Sequence, residues 1–318
     1  MSEHTRPPSA RGRVHVVAIV GPTAVGKTAL SLRLAQALGG EIVSADSRQI
    51  YRYMDIGTAK ATAAERAAVP HHLIDVVPPD ERLTLANYQA LATQAIEDIW
   101  ARGRLPMLVG GTGLYVRALL EGWTIPEVPP KPLLRARLQE EADRDGAAAL
   151  HARLAAVDPV AAARIDARNV RRVIRALEVH AQTGQPASRQ QGKVPPDYAV
   201  FRIGLTMPRD ALYRRIDARI EAMMAAGLEA EVRWLAAQGY TWNLPAMSGL
   251  GYKQIGQYLR GEVSLEEAVV LIKRHTRRFV RQQYNWFRLD DPSILWYNIA
   301  ESNDEALLGA LREFLAQP

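Results

Sequence analysis

Gly21 to Thr28 reads GPTAVGKT. The pattern G-x-x-x-x-G-K-[ST] is complete. It lies between an apolar, β-branched run, VHVVAIV from Val14 to Val20, and a helical stretch, TALSLRLAQAL. A strand that ends in a glycine loop and opens a helix begins a parallel α/β unit, and the loop's N–H groups cradle phosphate oxygens. Gly21, Pro22, Thr23, Ala24, Val25, Gly26, Lys27 and Thr28 are therefore candidate diphosphate-binding residues. Lys27 adds positive charge, and the Thr28 hydroxyl suits Mg²⁺. A chance glycine turn is the alternative, and the strand–loop–helix setting argues against it. The loop does not itself say whether the phosphates belong to ATP, the usual occupant, or to another diphosphate.

Working outward, short apolar runs alternate with helical patterns. EIVSA (Glu41 to Ala45) predicts a second strand. LANYQALATQAIEDIWARG predicts a helix leading to a third strand, LPMLVGG. A core strand returns at YAVFRIGLTM (Tyr198 to Met207), and another is expected at ILWYN (Ile294 to Asn298) before a last helix, DEALLGALREFLA. This predicts an α/β fold: a P-loop NTPase-like parallel sheet flanked by helices. Between Trp123 and Pro196 the composition changes. The stiff connector PEVPPKP leads into alanine- and arginine-rich helices with no strand signal. The expected organisation is a disordered tail over 1–12, a P-loop core over 13–122, a helical insertion over 123–196, and a return to the core with a basic helical region over 197–318.

The 318 residues are 48% apolar, enough for a large core, and carry a formal charge of +6. Such a charge hints at polyanion binding. Cysteine is absent, which excludes disulfides and cysteine-ligated zinc. The seven histidines show no metal-ligand spacing. No apolar run approaches the roughly 20 residues of a membrane span, and MSEHTRPPSARGR has no apolar segment of a signal peptide. A cytoplasmic protein without membrane contact is expected, and a monomer.

A generic P-loop ATPase wants an apolar strand ending in Asp to hold Mg²⁺. The third strand ends instead in Gly110, Gly111, Thr112 and Gly113. The acid at a strand end is Asp46, in SADSRQIY. It reads either as a turn or helix cap, or as a general base or Mg²⁺ contact beside the phosphate loop.

GPTAVGKT, SADSRQIYRYMDIGTAK, HHLID and GGTGLY, in that order and spacing, resemble the tRNA dimethylallyltransferases. The likeness continues in RNVRRVIRALEV, RRIDARIEAMMAAGLEAEV, AMSGLGYKQI and RHTRRFVRQQYNWFR, so that it spans about Val14 to Arg288. It implies transfer of a dimethylallyl group from its diphosphate, with Mg²⁺ as cofactor, to N6 of the adenosine immediately 3′ of the anticodon in tRNAs that read codons beginning with U. The phosphate loop then holds dimethylallyl diphosphate rather than ATP. Leaving-group charge must be met by cations. The resemblance assigns this to Lys27 and to Arg219 of the R-I-x-x-R pattern, whose other reading is a solvated helix arginine. It makes Asp46 the acceptor of the proton lost by the amine, and Thr112 a hydrogen-bonding group near the reaction centre. Ser47, Arg48 and Gln49 match a segment that contacts RNA around the target base. With Asp46 and Thr112, it also places Arg135, Arg171, Arg172, Arg175, Met247, Gly251, Tyr252, Lys253, Arg277, Arg281, Gln283, Trp286 and Arg288 against the tRNA anticodon stem-loop. The chain departs from the family pattern at Ala61, in GTAKA where GTAKP is expected, and at several residues of QQYNWFR and AMSGLGYKQ.

Holding a loop base extruded from its stack calls for positive charge and stacking. Lys273, Arg277 and Arg281 lie four apart on one predicted helix face, and Arg164, Arg168 and Arg172 repeat that spacing. Such rows are solvated faces or nucleic-acid contacts; Trp286 and Phe287 are stacking residues or core. His71 and His72 are expected to pack or cap a turn. The rival functions are a small-molecule kinase, a prenyltransferase acting on free adenine nucleotides, and a non-catalytic RNA-binding NTPase. The basic helices favour the tRNA enzyme over the first two, and the third has no use for Asp46 beside Thr112.

Overall fold

The computed structural model describes residues 13–126, 128–299 and 304–317. The expected tail over 1–12 lies outside them, as does Glu127 of the proline connector. Two compact units are present, one of residues 1–120 with 197–318 and one of residues 121–196.

In the first unit the elements are β1 (Val14–Val20), α1 (Lys27–Leu38), β2 (Gly40–Ser44), α2 (Ala63–Ala68), β3 (His71–His72), α3 (Leu85–Ala101), β4 (Leu105–Val109) and α4 (Gly113–Leu120). The second unit contributes β5 (Trp123–Thr124), α5 (Pro132–Asp145), α6 (Ala147–Val157), α7 (Pro159–Arg164), α8 (Val170–Thr183) and β6 (Gly192–Lys193). The chain then returns through β7 (Tyr198–Thr206), α9 (Arg209–Ala225), α10 (Leu228–Ala237), α11 (Tyr252–Leu259), α12 (Leu265–Trp286), β8 (Leu295–Asn298) and α13 (Asp304–Leu315).

Among the described residues one six-stranded sheet runs in the order β3-β2-β4-β1-β7-β8, and every pairing in it is parallel. Parallel strands are covered on both faces, so their sequences are continuously apolar rather than alternating. Val16 to Val20 of β1 are buried throughout, as are all five residues of β4. The strands expected at 41–45, 105–111, 198–207 and 294–298 are all found.

Two short pairings escaped the sequence. The first is β3, expected as a turn. His71 and His72 pair with Ile42 and Val43 at the sheet edge. Two residues carry no periodicity, and the pairing is fixed from outside. Buried Glu41 binds the Arg102 guanidinium through both oxygens and also meets His72 Nε2 at 2.7 Å. Those Arg102 hydrogen bonds, helped by His72, hold its carboxyl down at about 2. The second is in the segment read as purely helical, where Trp123 and Thr124 pair antiparallel with Lys193 and Gly192.

The second unit has its own apolar core, built on Leu138, Leu150, Leu154, Val173 and Leu177. Glu178 is buried inside it. Arg135 grips both its oxygens at 2.8 and 2.6 Å, Arg175 adds a bond of 2.7 Å, and the Lys131 N–H donates at 2.8 Å. A buried carboxylate is tolerable only with such partners.

Candidate active site

Three adjacent strands deliver the three motifs to one edge of the sheet. Ile19 of β1 and Ser44 of β2 are both register partners of Val109 in β4. Beyond that row, β1 runs into Gly21, β2 into Asp46 and β4 into Gly110. Ligands of open α/β sheets bind at this carboxyl edge. The three loops are tied together. The Ala45 N–H donates to Val109 O at 2.8 Å, Gly110 N–H to Ile19 O at 3.1 Å and Thr112 N–H to Ala45 O at 3.1 Å. Gly110 is obligatory here, since a Cβ would lie 2.1 Å from Ala45 O. In the phosphate loop Gly21 and Gly26 take φ of 138° and 109°, which other residues rarely adopt.

The loops frame a cavity of about 250 Å³ whose lining includes the polar Lys27, Asp46, Thr112 and Arg219 and the apolar Ile216, Met223, Ile272 and Phe279. Lys27 Nζ donates to Gly21 O at 3.0 Å and Pro22 O at 2.7 Å. Burial pulls its pKa down to about 8; the negative Asp46 resists this and the positive Arg219 adds to it. Arg219 is likewise lowered, by burial first, with Asp46 opposing. One carboxylate thus sits within electrostatic reach of two desolvated cations. That is a surplus of positive charge in a confined space, and it suits a dianion or trianion.

Asp46 caps a turn and also lies at the cavity. Its Oδ1 caps the following turn, accepting from Arg48 N–H at 2.8 Å and Gln49 N–H at 3.4 Å, while the residue still lines the cavity. Thr112 Oγ1 accepts the Ser47 N–H at 3.0 Å, which locks the turn after β4 onto the turn after β2. Thr28 is exposed at the start of α1. Among the described residues no cluster of three acidic or histidine ligands exists. The donor set fits Mg²⁺ held mainly through phosphate oxygens and water, which is how that ion usually binds.

Several residues expected against RNA are occupied within the protein. Gln49 donates to Thr58 O and Ala59 O and accepts from Ser44, so its amide braces a loop. Arg48 donates to Pro245 O at 2.6 Å and Ser248 Oγ at 3.3 Å. Met247 is buried. Buried Tyr252 lies over Gly57 and donates its hydroxyl to Glu231 at 2.6 Å. Gln283 is buried between two loops of the site. Trp286 packs against Gly113 and under the Arg117 guanidinium, and Phe287 is core. Arg277 pairs with Asp217 and Lys273 with Glu221, both acids of α9, while Arg281 reaches Tyr213. Arg288 pairs with Asp290. In the second unit Arg135 and Arg175 are committed to Glu178, and Arg168 to Asp166. Arg171, Arg172 and Lys253 are exposed, and Gly251, at φ 89°, caps α11. His71 and His72 do not line the cavity.

Glu231 had no assigned role. Its carboxylate accepts the N–H groups of Asp55, Ile56 and Gly57 at 2.9, 2.8 and 3.1 Å. It thereby fixes the loop that carries Gly57 and Thr58 to the cavity wall. In sequence it is one helix acid among many, and nothing local marks it.

Two family models match the chain, "IPP transferase" over residues 49–290 and "Isopentenyl transferase" over residues 14–75. The chain belongs to the IPP transferase family. Among IPP transferase relatives, the tRNA dimethylallyltransferase of Roseiflexus castenholzii is 62% identical over 275 residues, 86% of this chain and 90% of that one. That of Herpetosiphon aurantiacus is 54% identical over 303 residues, 95% of each. The crystal structure of the full-length tRNA isopentenylpyrophosphate transferase from Bacillus halodurans is 43% identical, with a TM-score of 0.70 over 96% of each chain. A eukaryotic dimethylallyltransferase captured acting on tRNA is 25% identical, with a TM-score of 0.80 over 96% of this chain and 80% of that one. The IPP transferase fold therefore extends through both units and the basic helices.

Proposed function

We propose that this protein transfers a dimethylallyl group from dimethylallyl diphosphate to N6 of the adenosine immediately 3′ of the anticodon in tRNAs reading codons that begin with U. The observation that carries the reading is the meeting of Lys27, Arg219, Asp46 and Thr112 in one cavity at the mouth of the phosphate loop.

The reaction breaks the allylic C1–O bond and forms a C1–N6 bond. Diphosphate departs with the bonding electrons, and N6 loses a proton. Lys27, Arg219 and the N–H groups at the start of α1 lie where the leaving charge grows. Mg²⁺, held by phosphate oxygens with the Thr28 hydroxyl, would supply further positive charge. Asp46 receives the proton. Its Oδ1 is already engaged by the turn, so Oδ2 is the oxygen that meets the amine. Thr112, fixed by Ser47, holds the amine's approach. The apolar wall of Ile216, Met223, Ile272 and Phe279 excludes water from the allylic cation character that develops.

The direct test is a donor assay. Purified protein is incubated with Mg²⁺, unmodified tRNA and either labelled dimethylallyl diphosphate or labelled ATP, and label in the RNA is counted. Prenyl label at the nucleotide 3′ of the anticodon is the expected result. Absence of prenyl label, with ATP consumed by a small molecule, would instead make the protein a kinase.

A further inference from the structure

Gln283 is 4% exposed, and both ends of its amide are used. From α12, Oε1 accepts the Thr23 N–H of the phosphate loop at 2.9 Å, and Nε2 donates to Gly111 O at 3.0 Å. An uncharged amide is the group that can accept from an N–H and donate to a C=O at once, and these partners fix its orientation.

A phosphate loop works by presenting its N–H groups to the anion. Here the protein consumes one of them itself. Thr23 lies toward the start of the loop, away from Gly26, Lys27 and Thr28, where the N-terminus of α1 attracts phosphate. An anion seated on that N-terminus and extended toward Thr23 meets a carbonyl oxygen in place of a free donor. That oxygen carries partial negative charge, and Gln283 is among the residues that line the cavity. The same amide also keeps the far end of the loop against the turn that carries Thr112. The turn is fitted to it, since a Cβ on Gly111 would lie 2.3 Å from Nε2.

We infer that Gln283 is a specificity-determining residue that closes the cradle after two phosphates and rejects a third. The inference rests on the reading that this loop holds a diphosphate.

The test is calorimetric titration of the full-length protein with inorganic diphosphate and with inorganic triphosphate, both with Mg²⁺. Wild type is compared with Gln283→Ala, which removes the amide, and Gln283→Met, which keeps the bulk and loses the acceptor. Wild type should favour diphosphate. Each variant should shift the ratio of the two affinities toward triphosphate by about tenfold, the size of one recovered hydrogen bond to a charged group. If Gln283→Ala does not fold, Gln283→Met decides. An unchanged ratio in a folded variant, or wild-type preference for triphosphate, overturns the inference and leaves the diphosphate site standing. Wild-type protein that binds neither anion removes the diphosphate site itself, and the inference with it.

Discussion

At Asp46 a single carboxylate serves the fold through Oδ1 while the residue lines the cavity. That double role sets what its variants do. Asp46→Asn retains an acceptor for the Arg48 and Gln49 N–H groups but cannot take a proton. It should lower kcat by roughly 10²–10⁴-fold, the range for losing general acid–base help, with tRNA affinity close to wild type. A normal single-turnover rate would remove Asp46 from the chemistry. Lys27 sets a pH limit. Its pKa is pulled down to about 8 by burial, so the ammonium is present below pH 8 and lost above it. Diphosphate needs the cation, so binding above pH 8 requires uptake of one proton. Affinity for inorganic diphosphate should be flat from about pH 6.5 to 7.5, once the ligand's own ionisation is subtracted, and then fall about tenfold per unit above pH 8. Unchanged affinity at pH 9 would mean the amine stays charged. Lys27, Asp46 and Thr112 were legible because their motifs are local. The bond between Gln283 and Thr23 was not legible, because the two lie 260 positions apart.

At the scale of helices, spacing tells which residues share a face but not what that face meets. Lys273, Arg277 and Arg281 do share a face of α12. Tyr213, Asp217 and Glu221 of α9 are also four apart, and the two rows meet. A row of cations on one helix cannot reveal that another helix carries the matching acids. Arg281 is exposed but reaches Tyr213; the other exposed cations of α12 are Arg274 and Arg278, on the neighbouring face. The two faces should therefore respond differently to charge reversal. Arg277→Glu sets a carboxylate against Asp217 at a half-buried contact and should cost about 1–2 kcal/mol of stability after allowance for solvent screening. Arg278→Glu should leave the melting temperature almost unchanged, as surface substitutions do, while weakening tRNA binding and flattening its salt dependence. Thermal melts and salt titrations of both variants check this. Equal loss of tRNA affinity with no loss of stability in Arg277→Glu would restore the earlier reading of that row.

For the whole molecule, the main strands were visible because apolar runs alternate with helical patterns along the chain, and the composition changes near the start of the second unit. The two-residue ladders were invisible, as each is defined only by its partner strand. One of them makes a strong prediction. Thr124 and Gly192 face each other across β5 and β6, so an Asn-Gly turn of two residues can join them directly. Replacing residues 125–191 by Asn-Gly should leave a folded core that still binds inorganic diphosphate and has lost most of its tRNA affinity. A core that no longer folds would show that the second unit is needed for stability. The same ladder bears on how the chain reaches its native state. β7 must find β1 after an excursion that runs from Glu121 to Pro196. Once β5 and β6 have zipped, that excursion is as short as a hairpin, and the entropy of closing it falls by about 2 kcal/mol. Early assembly of the second unit thus shortens the loop by which β7 returns to the rest of the sheet, and speeds completion of the sheet edge on which the chemistry depends.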